Sequence, residues 1–187
     1  MMCLWDMRLT PWSERSLPFG KGTEELPVLV ERALGAPARA VFLTRYEPAE
    51  RLSLRIAGSW SIKEHIAHLL YLDECMDGRV EDFMARRNML CSIDLTDQER
   101  VLAIQHDRPL GDLLEEFRLR RVYLMERVLS MDPGAMRHRA QHPCRGMAMS
   151  VVDMVMYLAE HDDHHLALMR GILQLHRGLP SWYSTNT

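Results

Sequence analysis

SVVDMVMYLAEHDDHHLALMRGI, residues 150–172, is the stretch whose reading decides the fold. Ser150 stands as a helix N-cap, and Val151, Met154, Leu158, Leu168 and Ile172 recur at helical spacing until Gly178 and Pro180 end the run. At about 100° per residue, Met154, His161, His165, Leu168 and Ile172 share a narrow sector, so two imidazoles stand in the middle of the core-facing stripe. A lone core histidine is ordinarily satisfied by one hydrogen bond. Two at i and i+4 on a buried face need partners together. A divalent metal supplies both, because rings one turn apart can converge on one ion at about 2.1 Å. Asp162 and Asp163 point about 100° and 200° away from His161, Asp163 toward solvent. His164 lies on the flank nearest Tyr157, as a pocket wall, an outer neighbour or a substitute ligand for His165.

Working back toward the N-terminus, three more helical patterns precede this one. The first opens at Thr23 with Glu24 and Glu25 behind it, and runs through Val28, Leu29, Ala33, Val41 and Phe42 to about Tyr46. Gly35 and Pro37 are expected to break or kink it. Pro48 to Gly58 reads as a connector. The second helix opens at Trp60-Ser61, with Glu64 at the capping-box spacing from the serine, and extends to about Arg87. Between Asn88 and Pro109, Thr96-Asp97-Gln98-Glu99 repeats the capping-box spacing and suggests a short crossing helix ended by Asp107-Arg108-Pro109. The third long helix carries Leu110, Leu113, Leu114, Phe117, Val122 and Leu124 and ends near Asp132-Pro133-Gly134. Gln141 to Gly146 is a loop, and no alternating strand pattern of useful length or internal repeat is present. The expected fold is all-α, a four-helix bundle over residues 23–178, with an irregular arm over 1–22 anchored by Trp5 and Trp12 and a tail over 179–187.

At 187 residues, 47 % of them hydrophobic, the chain has material for one sizeable core and is read as one domain. A net charge of −3 offers no global basic field for nucleic acid or an anionic membrane. No stretch approaches the roughly 20 apolar residues of a membrane span, and Met1–Leu9 carries charges where a signal peptide needs its apolar segment. A cytoplasmic protein is expected. Cys3, Cys75, Cys91 and Cys144 form no CxxC pair, so they read as ordinary thiols and not as a zinc knuckle or a disulfide framework. The 14 methionines fit an adaptable core.

Two histidines rarely hold a metal alone, and the second helix offers His65 and His68 for a third ligand. There Ile62, Leu69, Met76 and Val80 place the centre of the apolar stripe nearer His65, with His68 at its edge. Periodicity therefore leans to His65.

Trp60-Ser61-Ile62-Lys63-Glu64-His65-Ile66-Ala67-His68-Leu69, followed far downstream by Leu158-Ala159-Glu160-His161-Asp162-Asp163-His164-His165-Leu166, resembles the DinB-like (DinB/YfiT) superfamily of metal-dependent proteins over roughly residues 25–175. That family's pattern, a ligand histidine eight positions after the tryptophan and a histidine pair four apart on the last helix, implies His68, His161 and His165 as metal ligands. It makes His65 a core or outer neighbour. The resemblance also implies an up-down-down-up bundle with the metal near one end, and a homodimer as the family habit. It further implies thiol-dependent S-transfer, isomerisation or metal-dependent hydrolysis of a small molecule, with a low-molecular-weight thiol as partner.

Three neutral imidazoles leave the ion its full charge and an open position, as in catalytic sites. Imidazole ligation suits zinc or nickel first, then iron or copper. No general base stands out. Asp73 and Glu74 read as the solvated face of a long helix, Glu64 as a cap partner, Trp60 as a packed anchor and Tyr157 as core or a ligand-orienting group. His142 and Cys144 precede the last helix and could reach the site mouth. The rival reading is a non-catalytic binding or stress-response protein whose metal only joins the two helices. A zinc peptidase fits poorly, since Asp162 replaces the glutamate that follows the first histidine in those enzymes and Gly171 stands where a further ligand would be sought.

Overall fold

A computed structural model describes residues 8–56, 58–93, 98–144 and 146–182. Its helices are α1 (Leu26–Thr44), α2 (Ala49–Ser53), α3 (Ile62–Met84), α4 (Gln98–Gln105), α5 (Leu110–Leu129), α6 (Pro133–Arg137) and α7 (Val151–His176). Two antiparallel two-residue strands, β1 (Ala140–Gln141) and β2 (Ala148–Met149), close a hairpin before α7. The long helices α1, α3, α5 and α7 form a four-helix bundle. Among the described residues no helix is long and apolar enough to cross a membrane.

Cross-helix polar contacts fix the directions. Lys21 and Gly20 meet Asp153, Arg32 meets Glu160 and Asp163, and Glu47 meets Arg177, so α1 and α7 run parallel. Asp73 with Arg121 and Asp77 with Arg127 set α5 parallel to α3. His65 beside His165 and His68 beside His161 make α3 antiparallel to α7. The order is up-down-down-up.

The helix starts follow local chemistry. Ser61 and Glu64 form the expected capping box at α3, and Ser150 caps α7 with Asp153 as the reciprocal partner. The expected helix over 23–46 begins with a 3-10 turn at Thr23–Glu25, and Pro37 does not break it. Proline lacks the N–H that would bond the carbonyl of Ala33 four residues back. Arg121 Nη1 donates to that carbonyl at 2.8 Å instead, which replaces the lost hydrogen bond. The second helix stops at Met84, short of Arg87, where Arg86 takes a left-handed φ of 52°. The connector after Pro48 contains α2, and Asp132-Pro133, expected to end the third helix, caps and opens α6. The crossing helix is present as α4, whereas Thr96, Asp97 and Trp5 lie outside the described residues.

The core is in two parts. One joins Leu29, Ala33, Met76, Phe83, Met125 and Leu158; the other joins Ala36, Ile66, Leu69, Phe117, Leu166 and Ile172. On α7 the first part ends at Leu158 and the second resumes at Leu166, and a layer of buried polar side chains occupies the gap.

Candidate metal centre

His161 and His165 straddle the middle of α7, and His65 and His68 sit in the first third of α3. All four are buried, none more than 7 % exposed. His161 Nε2 lies 3.3 Å from His68 Nε2 and 3.2 Å from His165 Nε2. Three such nitrogens bound tetrahedrally at 2.0–2.1 Å to one zinc ion would stand about 3.3–3.4 Å apart. Among the described residues, His68, His161 and His165 form a group whose ligand atoms all lie within 4.8 Å of one another. Burial holds these rings below the ordinary histidine pKa, His68 at about 4, with neighbouring imidazoles adding to the depression at His161 and His165. They are neutral near pH 7, with lone pairs available. The donor set and its spacing fit a divalent cation.

His65, which periodicity favoured, turns away from that point. Its Nδ1 lies 2.9 Å from Nδ1 of His165, on the far side of the ring from the three converging nitrogens. His65 therefore fixes the orientation of His165, and burial pushes its own pKa down to about 3. His164 stands edge-on to His165 at 5.5 Å, outside the cluster.

Two tryptophans wall the cluster. Trp60 leans on His68 at 5.0 Å and stacks at 17° over His165, so the anchor at the start of α3 is also a side of the site. Trp12, from the N-terminal arm, meets His161 edge-on at 4.9 Å and Tyr157 at 5.2 Å. The arm is held there by backbone N–H groups of Gly20 and Lys21 donating to Asp153 at 2.7 and 2.8 Å. Tyr157 lies parallel to the His161 ring at 6.3 Å, and the ring of buried His142 is 6.2 Å from that of Tyr157. Cys144 is exposed, its N–H donating to His142 Nδ1 at 3.1 Å.

The family model of the DinB superfamily matches residues 29–169. The chain belongs to the DinB superfamily. Among solved structures, this DinB-superfamily chain is similar to YfiT from Bacillus subtilis, described as a probable metal-dependent hydrolase with an unusual four-helix bundle topology. The TM-score is 0.76 at 12 % identity, over 89 % of this chain and 95 % of that one. It is also similar to the mycothiol-dependent maleylpyruvate isomerase, with a TM-score of 0.63 at 10 % identity over 75 % of this chain; the match spans 59 % of the isomerase. At these identities the likeness establishes the fold. No curated protein matches the sequence.

Behind the cluster lies an ionic group that the sequence reading missed. Arg121 on α5 is fully buried; its Nε donates to Asp73 at 2.9 Å, and its two terminal nitrogens reach Asp162 and the Ala33 carbonyl. Asp73 is thus no solvated residue, and Asp162 turns inward from its helix. Burial opposes the Arg121 charge, but the Asp162 and Asp73 carboxylates outweigh it and raise the guanidinium pKa. Burial pushes Asp73 up to about 7 against the pull of Arg121. The signal was present in the pattern: Arg121 falls in register with Phe117, Leu124 and Val128, and Asp73 with Leu69, Met76 and Val80. Asp163, expected to be solvated, pairs with Arg32 and Arg39 across the α1–α7 seam.

Proposed function

We propose that this DinB-superfamily protein is a metal-dependent enzyme acting on small molecules, a thiol-dependent S-transferase or a hydrolase, with His68, His161 and His165 as ligands. The observation that carries this reading is the convergence of three buried Nε2 atoms with neighbouring spacings of 3.2 and 3.3 Å. A divalent ion held there, zinc or nickel first and iron next, would supply Lewis acidity, lowering the pKa of a bound water or thiol or polarising a carbonyl. The chain's own residues do the positioning. With Nε2 of His165 turned to an ion, its Nδ1 would carry the proton and donate to His65 Nδ1, 2.9 Å away, and that bond would set the ring angle. Trp12 and Trp60 keep bulk water from the imidazoles.

A low-molecular-weight thiol is the proposed co-substrate, supported by the mycothiol dependence of the isomerase to part of whose fold this chain is similar. A cytoplasmic location, a homodimer, and the division into arm, 23–178 bundle and tail belong to the same reading.

The test is metal content by mass spectrometry on protein purified without a metal-affinity tag. Wild type and His65→Ala are expected to hold about one transition metal per chain under metal-replete conditions, and His68→Ala, His161→Ala and His165→Ala to lose it. Metal absent from wild type, or unaffected by the three ligand substitutions, sinks the proposal. A purely structural ion would raise the melting temperature yet show no thiol entering its coordination sphere by X-ray absorption.

A further inference from the structure

A second buried guanidinium, on α3, lacks the partners that Arg121 has. Arg79 shares the apolar stripe of Leu72, Met76 and Phe83 and is only 2 % exposed. Its Nε makes one long bond, 3.4 Å, to the Cys91 carbonyl, and its Nη1 is buried with no hydrogen-bond partner. The groups acting most strongly on its charge are Tyr157 and the thiols of Cys91, Cys75 and Cys144. None of these is a carboxylate. An interior charge without a counter-ion is among the costliest arrangements a fold retains. A ligand carrying the opposite charge would remove that cost.

Its surroundings indicate which ligand. Tyr157 is among the groups whose charge bears on Arg79 and also lies parallel to the His161 ring at 6.3 Å, so the same tyrosine neighbours both the guanidinium and the histidine cluster. Side chains on a helix lean toward its N-terminus, and on α3 that direction leads from Arg79 toward His68. Cys91, whose carbonyl accepts from Arg79 Nε, is exposed, so the buried guanidinium lies close beneath the surface. A planar guanidinium matches a carboxylate with two parallel hydrogen bonds, and one positive charge balances one carboxylate.

We propose that Arg79 recognises a carboxylate on the small molecule whose reacting end occupies the histidine cluster. This rests on reading the histidines as a metal-dependent site, and it narrows the substrate class to carboxylate-bearing compounds. Arg79 orients the ligand and takes part in no bond change.

The test is calorimetric titration of the full chain, zinc-loaded and metal-stripped, with three probes. N-acetylcysteine carries thiol and carboxylate, N-acetylcysteamine the thiol alone, and N-acetylalanine the carboxylate alone. Zinc-loaded wild type is expected to bind N-acetylcysteine about tenfold or more tighter than N-acetylcysteamine, the scale of one charge-assisted contact. Arg79→Met should bind the two thiols equally, with N-acetylcysteamine affinity unchanged, and should melt no lower than wild type because an unpaired charge has gone. Arg79→Lys, which keeps the charge without the planar fork, should retain a reduced preference. Equal binding by wild type, a preference that survives in Arg79→Met, or a large fall in that variant's melting temperature overturns the assignment. If the metal reading alone fails, N-acetylcysteine and N-acetylalanine bind alike with or without zinc. The carboxylate preference then persists and still depends on Arg79.

Discussion

Two clusters of buried polar side chains sit close together on α3 and α7, and they are built in opposite ways. Around Arg121 the ionic hydrogen bonds are closed: the guanidinium reaches Asp73, Asp162 and the Ala33 carbonyl, and neither carboxylate is exposed. Around the histidines the account stays open. His161 Nδ1 and His65 Nε2 are buried without partners, and three Nε2 atoms crowd one point. A closed cluster has nothing left to bind, so its role is to hold α1, α3, α5 and α7 in register. An open one is completed from outside. Their adjacency gives the site a rigid floor, because Asp162 follows His161 directly and is pinned by Arg121.

The comparison can be broken most forcefully at Arg121. Arg121→Met leaves two buried carboxyls and the Ala33 carbonyl without their donor and should cost about 3–5 kcal/mol in urea unfolding. A loss below about 1 kcal/mol would mean that the closed cluster does not hold the bundle. His65→Ala acts on the open cluster without touching a ligand. It should weaken zinc binding roughly 10- to 100-fold in competition with a chromophoric chelator, while the stoichiometry stays the same. An unchanged affinity would show that the His65 contact does not orient His165. The smallest effect is expected at Pro37. Pro37→Ala restores an N–H to the helix, a change that would ordinarily gain up to about 3 kcal/mol. Here it should shift stability by less than about 1 kcal/mol, because Arg121 already serves the freed carbonyl.

The histidine cluster sits at the gap between the two core parts, midway along α7 and in the first third of α3. On α3, periodicity ranked His65 above His68 because the centre of the apolar stripe lies nearer His65, and a pattern along one helix does not tell which ring nitrogen faces which. The N-terminal arm carried no periodic signal, so Trp12 read as an anchor without a target.

By itself the sequence determined the four long amphipathic helices, the capping box at Ser61, the N-cap at Ser150, and the pair His161 and His165 on one buried face. Each depends on spacings of three or four residues along one helix, and local backbone geometry enforces them. Only the tertiary structure decided the rest. The turning of His65 onto His165, the closure of Asp73 and Asp162 around Arg121, and the isolation of Arg79 all depend on which side chains meet across helices far apart in sequence. Those meetings are settled by helix packing and burial, which a one-dimensional pattern does not contain.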